Sequence, residues 1–239
     1  MGKAKGYGMF SPVKQIVLLR HGVTDWNCQS RYQGRSDVSL NEDGRRQAAA
    51  CRDVVQGWNP QLIFTSPLSR ATETAVLASG RSVGDMTVCP ELCEISFGKW
   101  ETCTRDEIAS SWADAYASWG EDPDSVTPPD GESFLSVRER AAGVLRRAAQ
   151  SEEARILIVS HGGTLRALLA EALGAPSRAT WRFCLNNCSL TGLEYWNGQF
   201  WLSFSNDCRH LSSCSRPTAM DAEGGLDSEN ERFDLFSRS

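Results

Sequence analysis

Residues 155–174 read RILIVSHGGTLRALLAEALG, and the change of period inside this stretch decides the fold. Residues 156–159 are a short apolar run of the kind that forms a buried strand. Past Ser160 and His161 the period changes: Leu165, Leu168, Leu169 and Leu173 fall on one face of a helix that Gly174 stops. The same order occurs upstream in LIFTSPLSRATETAVLAS, residues 62–79. A strand at 62–65 precedes Ser66 as N-cap and Pro67 as first helical residue, so Arg70 falls in the first turn. Nearer the N-terminus, QIVLL at 15–19 runs into Arg20, His21 and Gly22.

A further strand is predicted at 86–89. Between these units Ile108, Trp112, Ala115 and Trp119 recur at helical spacing, as do Phe134, Val137, Ala141, Val144, Leu145 and Ala148. LTGLEYW and QFWLSFS flank Asn197-Gly198, a strong hairpin signal. Strands alternating with helices predict an α/β fold, a three-layer α/β/α sandwich whose central sheet is mostly parallel with an antiparallel edge strand. The body is assigned to residues 13–211, with a flexible start at 1–12 and a disordered acidic tail at 212–239.

That tail carries a net charge of -3 out of the chain's formal -5. The nearly neutral body gives no basis for nucleic-acid or membrane binding. No segment approaches the roughly 18 uninterrupted apolar residues of a membrane span, and no secretory h-region opens the chain, so a cytoplasmic location is the expectation. Nine cysteines, an odd number in a long chain, read as reduced thiols. Cys89/Cys93 and Cys184/Cys188 lack the tight CxxC spacing, and three histidines do little to complete a ligand set, so no metal is expected.

Ligands in open α/β sheets bind at the carboxyl ends of strands, where helix N-termini present N–H groups to anions. Here those ends carry Arg20-His21, Arg70 and His161. Arginine's planar fork suits phosphate oxygens. Neutral imidazole is a competent nucleophile at phosphorus, so one histidine can take a phosphoryl group while the other hydrogen-bonds its oxygens. A carboxylic acid must protonate the leaving oxygen; Glu91, Glu94 and Glu101 are the candidates, unranked by sequence physics. Trp112, Tyr116 and Trp119 either pack in the core or line the site, and their spacing favours the core.

Taken together, LLRHGVTDWN, RYQGRSDVSLNEDGRRQA, TSPLSRATETA, ELCEISFGKWE, PDGES and VSHGGTLRALL resemble the histidine phosphatase superfamily, of phosphoglycerate mutase-like fold, from about residue 13 to NDCRHL at 206–211. The resemblance implies that His21 is the phosphorylated nucleophile, that Arg20, Arg70 and His161 form the phosphate pocket, and that Glu94 is the proton donor. It also implies substrate contacts from Asn27, Gln33, Gly34 and the backbone of Gly162, and a structural role for His210 in a closing strand. The implied activity is metal-independent and cofactor-free hydrolysis of a small phosphorylated metabolite. A cofactor-dependent phosphoglycerate mutase is the first alternative and a non-catalytic phospho-ligand-binding module the second. The short interval between Glu94 and His161 favours the phosphatase. A homo-oligomer is compatible with the sequence, which leaves the substrate open.

Overall fold

The computed structural model describes residues 13–211. The expected flexible start at 1–12 and acidic tail at 212–239 lie outside them. In chain order the elements are β1 (Lys14–Arg20), α1 (Asp25–Cys28), α2 (Glu42–Ala50), α3 (Arg52–Trp58), β2 (Leu62–Thr65), α4 (Ser69–Ser79), β3 (Thr87–Val88), α5 (Arg105–Ser111), α6 (Ala113–Glu121), α7 (Phe134–Gln150), β4 (Arg155–Ser160), α8 (Gly162–Leu173), β5 (Leu190–Trp196) and β6 (Gln199–Asp207). The strands form a single sheet in the order β3-β2-β4-β1-β5-β6. The pairs β1/β4, β2/β4 and β2/β3 are parallel; β5 joins antiparallel to β1, and β6 antiparallel to β5. Among the described residues no helix is long and apolar enough to cross a membrane.

Strand periodicity divides the core between two faces. Ile16 and Leu18 with Ile156 and Ile158 point to one side, where they meet α7 and α8 residues such as Val144 and Leu168. Leu19 with Leu157 and Val159 points to the other, against Ala48, Val55, Ala71 and Ala75 of α2 to α4. Both faces of β4 are therefore covered, which is why its sequence is continuously apolar rather than alternating. At the sheet's far edge Asn197 and Gly198 both take positive φ, 51° and 79°, the geometry of a tight hairpin turn joining β5 to β6.

Three details differ from the sequence reading. The strand expected at 86–89 is reduced to Thr87–Val88. Helix α4 begins at Ser69 instead of Pro67, because Leu68 is extended, with φ -65° and ψ 136°, and the Ser66 hydroxyl meets the Leu68 N–H and His161 Nε2 ahead of the helix. The Ser69 N–H is accepted instead by Asp37 Oδ1 at 2.7 Å, a cap supplied from elsewhere in the chain. The pattern from Ile108 to Trp119 forms two short helices rather than one, broken at Trp112 with φ -139° and ψ 46°. That bend carries Trp119 into an aromatic cluster with Phe97, Trp100 and Phe134, and spacing along a sequence does not report a bend in a helix axis. Trp119 is fully buried, and Trp112 and Tyr116 pack against the same core.

The loop after β1 lies backbone to backbone against α2. A Cβ on Gly22 would come within 2.5 Å of the Gly44 carbonyl oxygen, and one on Gly44 would sit on the carbonyl oxygen of Val23. Only backbone atoms crowd these positions, so no side chain can move aside. Gly57 in α3 has open space where its Cβ would go. Gly44→Ala is therefore expected to destabilise by about 1–3 kcal/mol through overpacking, and Gly57→Ala to stabilise by about 0.5–1 kcal/mol through helix propensity. Urea unfolding of both variants checks the opposite signs; a neutral Gly44→Ala would show that the contact is slack.

Candidate active site

The ladder registers bring three strand ends to one level. Arg20 pairs with Ser160, and Thr65 with Val159. One residue further on, the His21 N–H donates to the Ser160 carbonyl at 2.9 Å and the Ser66 N–H to that of Val159 at 3.1 Å. His21 and His161 follow neighbouring strands and come together, their ring centroids 5.1 Å apart. Arg20, His21, Arg70 and His161 are each at most 2% exposed.

His21 Nδ1 lies 2.7 Å from the Gly22 carbonyl oxygen. That oxygen can only accept, so Nδ1 carries the proton and Nε2 keeps its lone pair. Burial, followed by the charges of Arg70 and Arg20, drives the His21 pKa well below its ordinary value, outweighing the bond to Gly22. His161 is lowered in the same direction, again by burial first and then by Arg70. Both rings are neutral at pH 7.

Around them lies a set of N–H donors. Arg20 gives one Nη1 hydrogen to the Leu185 carbonyl at 2.7 Å, while its Nε and Nη2, the side-on fork of the guanidinium, are buried without a partner. Arg70 uses Nη1 and Nη2 to hold the Ser36 and Gly34 carbonyls at 2.9 and 2.8 Å, which ties the loop after α1 to the first turn of α4. Thr24 and Asn27 form a capping box on α1; with Asn27 Oδ1 accepting the Thr24 N–H, the amide Nδ2 of Asn27 is left over. Gln33 is likewise held through Oε1, by the Thr24 hydroxyl at 3.0 Å, and its buried Nε2 has no partner. His161 Nδ1 is also buried without a partner, while Nε2 meets the Ser66 hydroxyl at 2.8 Å.

Of the three candidate acids, the structure separates Glu94. Its buried carboxylate accepts the N–H groups of Gly163 and Thr164, both at 3.0 Å, at the N-terminus of α8 immediately after His161 and Gly162. Glu91 instead pairs with Arg147 at 2.7 Å, half exposed. Glu101 organises a loop: it accepts the N–H groups of Arg35 and Ser36 at 3.0 and 3.1 Å and that of Phe97 at 3.2 Å. Gly34 has φ 51°, and a side chain there would collide with the Glu101 carboxylate. His210 lies not in a closing strand but in the turn Arg209–Leu211 that follows β6, where Nε2 meets the Cys188 carbonyl at 2.9 Å and the Cys51 thiol at 3.3 Å. Neither cysteine pair lies on a helix, and no three His, Cys, Asp or Glu side chains of the described residues form a metal-binding group.

Several members of the site escaped the sequence reading. Asn187 donates to the His21 carbonyl at 2.9 Å, Thr74 Oγ1 accepts the Gly22 N–H at 3.0 Å, and Gln47 Oε1 accepts the Val23 N–H at 3.0 Å. They come from a loop and two helices distant in sequence from His21, and no local spacing marks them. Their one legible sign is that each is a polar residue in an apolar helical face or approaching an apolar strand.

With this geometry in view, the chain was compared with known proteins. The family model described as histidine phosphatase superfamily (branch 1) matches residues 16–208. A bifunctional protein of Mycobacterium tuberculosis, Rv2228c, is 38% identical over 184 residues, 76% of this chain but 50% of that protein, so the chain spans about half the length of this relative. "Probable phosphoglycerate mutase GpmB" of Cronobacter sakazakii is 32% identical over 209 residues, 83% of this chain and 95% of the other. Among solved structures, mycobacterial glucosyl-3-phosphoglycerate phosphatase Rv2419c with VO3 has a TM-score of 0.74 at 34% identity, covering 81% of this chain and 98% of that one. Strand ends, buried donors and a match that runs almost the whole described length agree: the chain belongs to the histidine phosphatase superfamily.

Proposed function

We propose that the protein hydrolyses a small phosphate monoester by way of a phosphohistidine on His21. The observation that carries this reading is the set of buried, unpartnered N–H groups on Arg20, Asn27 and Gln33, together with the buried His161 ring, whose Nδ1 also has no partner and whose centroid is 5.1 Å from that of His21, a histidine with Nδ1 tied back to Gly22. Buried donors without acceptors are costly, and a phosphoryl group with its equatorial oxygens is a ligand that would satisfy several at once.

In the proposed reaction His21 Nε2 attacks phosphorus in line with the departing oxygen, and Glu94 gives that oxygen a proton. The P–O bond breaks as the N–P bond forms. A water molecule then loses a proton to Glu94 and attacks the phosphohistidine, which returns His21 and releases inorganic phosphate. Arg20, Arg70 and His161 stabilise charge on the transferring group, Asn27, Gln33 and the backbone of Gly34 and Gly162 border the substrate, and no metal or cofactor takes part. Proteins named as phosphatases among the relatives and solved structures support hydrolysis, a relative named as a probable phosphoglycerate mutase supports the alternative, and the short interval between Glu94 and His161 favours the first.

The decisive assay is phosphate release in EDTA from phosphoserine, sugar phosphates and 3-phosphoglycerate, comparing wild type with His21→Ala. Release that persists in the variant sinks the nucleophile; interconversion of phosphoglycerates without release identifies a mutase. Arg70→Lys keeps a charge but loses the planar fork, and a fall in kcat/KM of roughly 10- to 1,000-fold is expected. Wild-type kinetics in that variant would remove Arg70 from the pocket.

The neutrality of the two histidines also has a thermodynamic signature. Each takes up a proton when unfolded below pH about 6.5 but not when folded, so stability falls with acid at up to about 1.4 kcal/mol per pH unit for each ring. His210, whose pKa is raised despite burial by its bond to Cys51, acts the other way: its contribution is complete below 6.5 and is lost as pH rises through the folded pKa. Urea midpoints between pH 6.5 and 5 should therefore drop, and drop less steeply in His161→Gln. Equal slopes would mean that His161 is charged in the folded protein.

A further inference from the structure

The PDGES motif at residues 129–133 and helix α7 take no part in the reaction as written, yet they hold its acid. Arg140 of α7 has its side chain only 13% exposed, and the structure gives all five N–H groups of its guanidinium an acceptor. Nε donates to Glu132 Oε1 at 2.9 Å and Nη2 to Glu132 Oε2 at 3.0 Å, a side-on fork. The other three hydrogens go to main-chain carbonyls: Nη1 to Glu91 and Cys93, both at 2.6 Å, and Nη2 to Glu94 at 3.2 Å. Glu132 adds to the hold by accepting the Ser96 N–H at 3.4 Å, while its own N–H donates to the Ser96 carbonyl at 2.8 Å. On the opposite side the Thr164 hydroxyl donates to the Cys93 carbonyl at 2.7 Å. The segment from 91 to 96, a 3-10 turn at Pro90–Leu92 followed by irregular chain, is thus suspended between the Arg140–Glu132 pair and the N-terminus of α8, with Glu94 in its middle.

We propose that Arg140, braced by Glu132, is a positioning residue that sets where the Glu94 carboxyl stands relative to the departing oxygen. This rests on the reading of Glu94 as proton donor. Past the single 3-10 turn at Pro90–Leu92 the segment has no ladder to fix its carbonyls, and those of Glu91, Cys93 and Glu94 converge on one planar cation with five donors in a fixed fork. A lysine would keep the charge but could not span three carbonyls and a carboxylate. Proton transfer is sensitive to such placement, since a displacement of about 1 Å can cost on the order of 100-fold.

Arg140 also contributes charge to the site, being one of the groups that lower the pKa of His161. A purely electrostatic role would stabilise the transferring phosphoryl group whatever the leaving group; a positioning role acts only where the leaving oxygen needs a proton. The test therefore compares phenyl phosphate, whose phenol resembles tyrosine's with a pKa of about 10, with p-nitrophenyl phosphate, whose phenolate leaves unaided. The quantity is kcat/KM, which reports steps up to leaving-group departure. The variants are Arg140→Lys, Glu132→Gln and Glu94→Gln, and inhibition by orthovanadate monitors the phosphate pocket.

For Arg140→Lys the expected fall is about 10- to 100-fold on phenyl phosphate and less than about 3-fold on p-nitrophenyl phosphate, with vanadate inhibition unchanged. Glu132→Gln, which leaves Arg140 in place but weakens its brace, follows the same pattern more mildly. If Glu94→Gln shows the leaving-group preference and Arg140→Lys slows both esters equally, or neither, the positioning role is overturned while the acid stands. If Glu94→Gln itself slows both equally, the acid assignment fails and the role of Arg140 fails with it. Weakened vanadate inhibition in Arg140→Lys would assign the residue to the phosphate pocket instead.

Discussion

The parallel pairing of β1 with β4, and of β4 with β2, sets the level at which three chains leave the sheet, and the polar chemistry of the molecule depends on that level. Because Arg20 lies across from Ser160, the residues one step beyond are His21 and His161. A slip of one residue would reverse the faces of the whole strand as well as part the two rings, so the apolar packing on both sides of β1 and β4 also enforces the site. The hydrophobic core and the register that pairs the two histidines are one constraint.

Gathering two guanidiniums and two imidazoles in a buried place is unfavourable in itself. The structure limits the cost in two ways. The imidazoles stay neutral, and Arg20 and Arg70 spend donors on the carbonyls of Leu185, Gly34 and Ser36, which fixes their planes before any ligand arrives. The unpartnered donors of Arg20, Asn27 and Gln33 sit on side chains already held by other bonds, an arrangement that needs little rearrangement to receive a ligand.

Support for the site comes from outside the strand ends. Gly22 and Gly44 let the loop that follows His21 lie directly on α2, Thr74 and Asn187 take up that loop's main-chain groups, and Glu101 gathers the N–H groups of the loop that Arg70 grips by its carbonyls. Glu94 is held between α8 and α7. Apart from the glycine contact, each support is a side chain answering a main-chain group outside the sheet, which is where an irregular loop would otherwise be free to move.

Much of the fold was legible in the sequence because it is written in local period. Apolar runs gave β1, β2 and β4 to within a residue or two, Leu165 to Leu173 with Gly174 gave α8, and Asn197-Gly198 gave the hairpin. That His21 and His161 come together was legible for the same reason, since residues that follow neighbouring parallel strands share one edge of a sheet. Residue chemistry left Glu91, Glu94 and Glu101 unranked, because the three stand within one short stretch and differ in what the fold brings to meet them: Arg147, the N-terminus of α8, and the main chain of Arg35 and Ser36. Nor could spacing disclose the bend at Trp112, the distant cap on α4, or the five bonds of Arg140. The sequence by itself determined what is periodic and local; the tertiary structure alone decided which distant side chains complete the unsatisfied main-chain groups of the loops, because that depends on how the layers pack against one another.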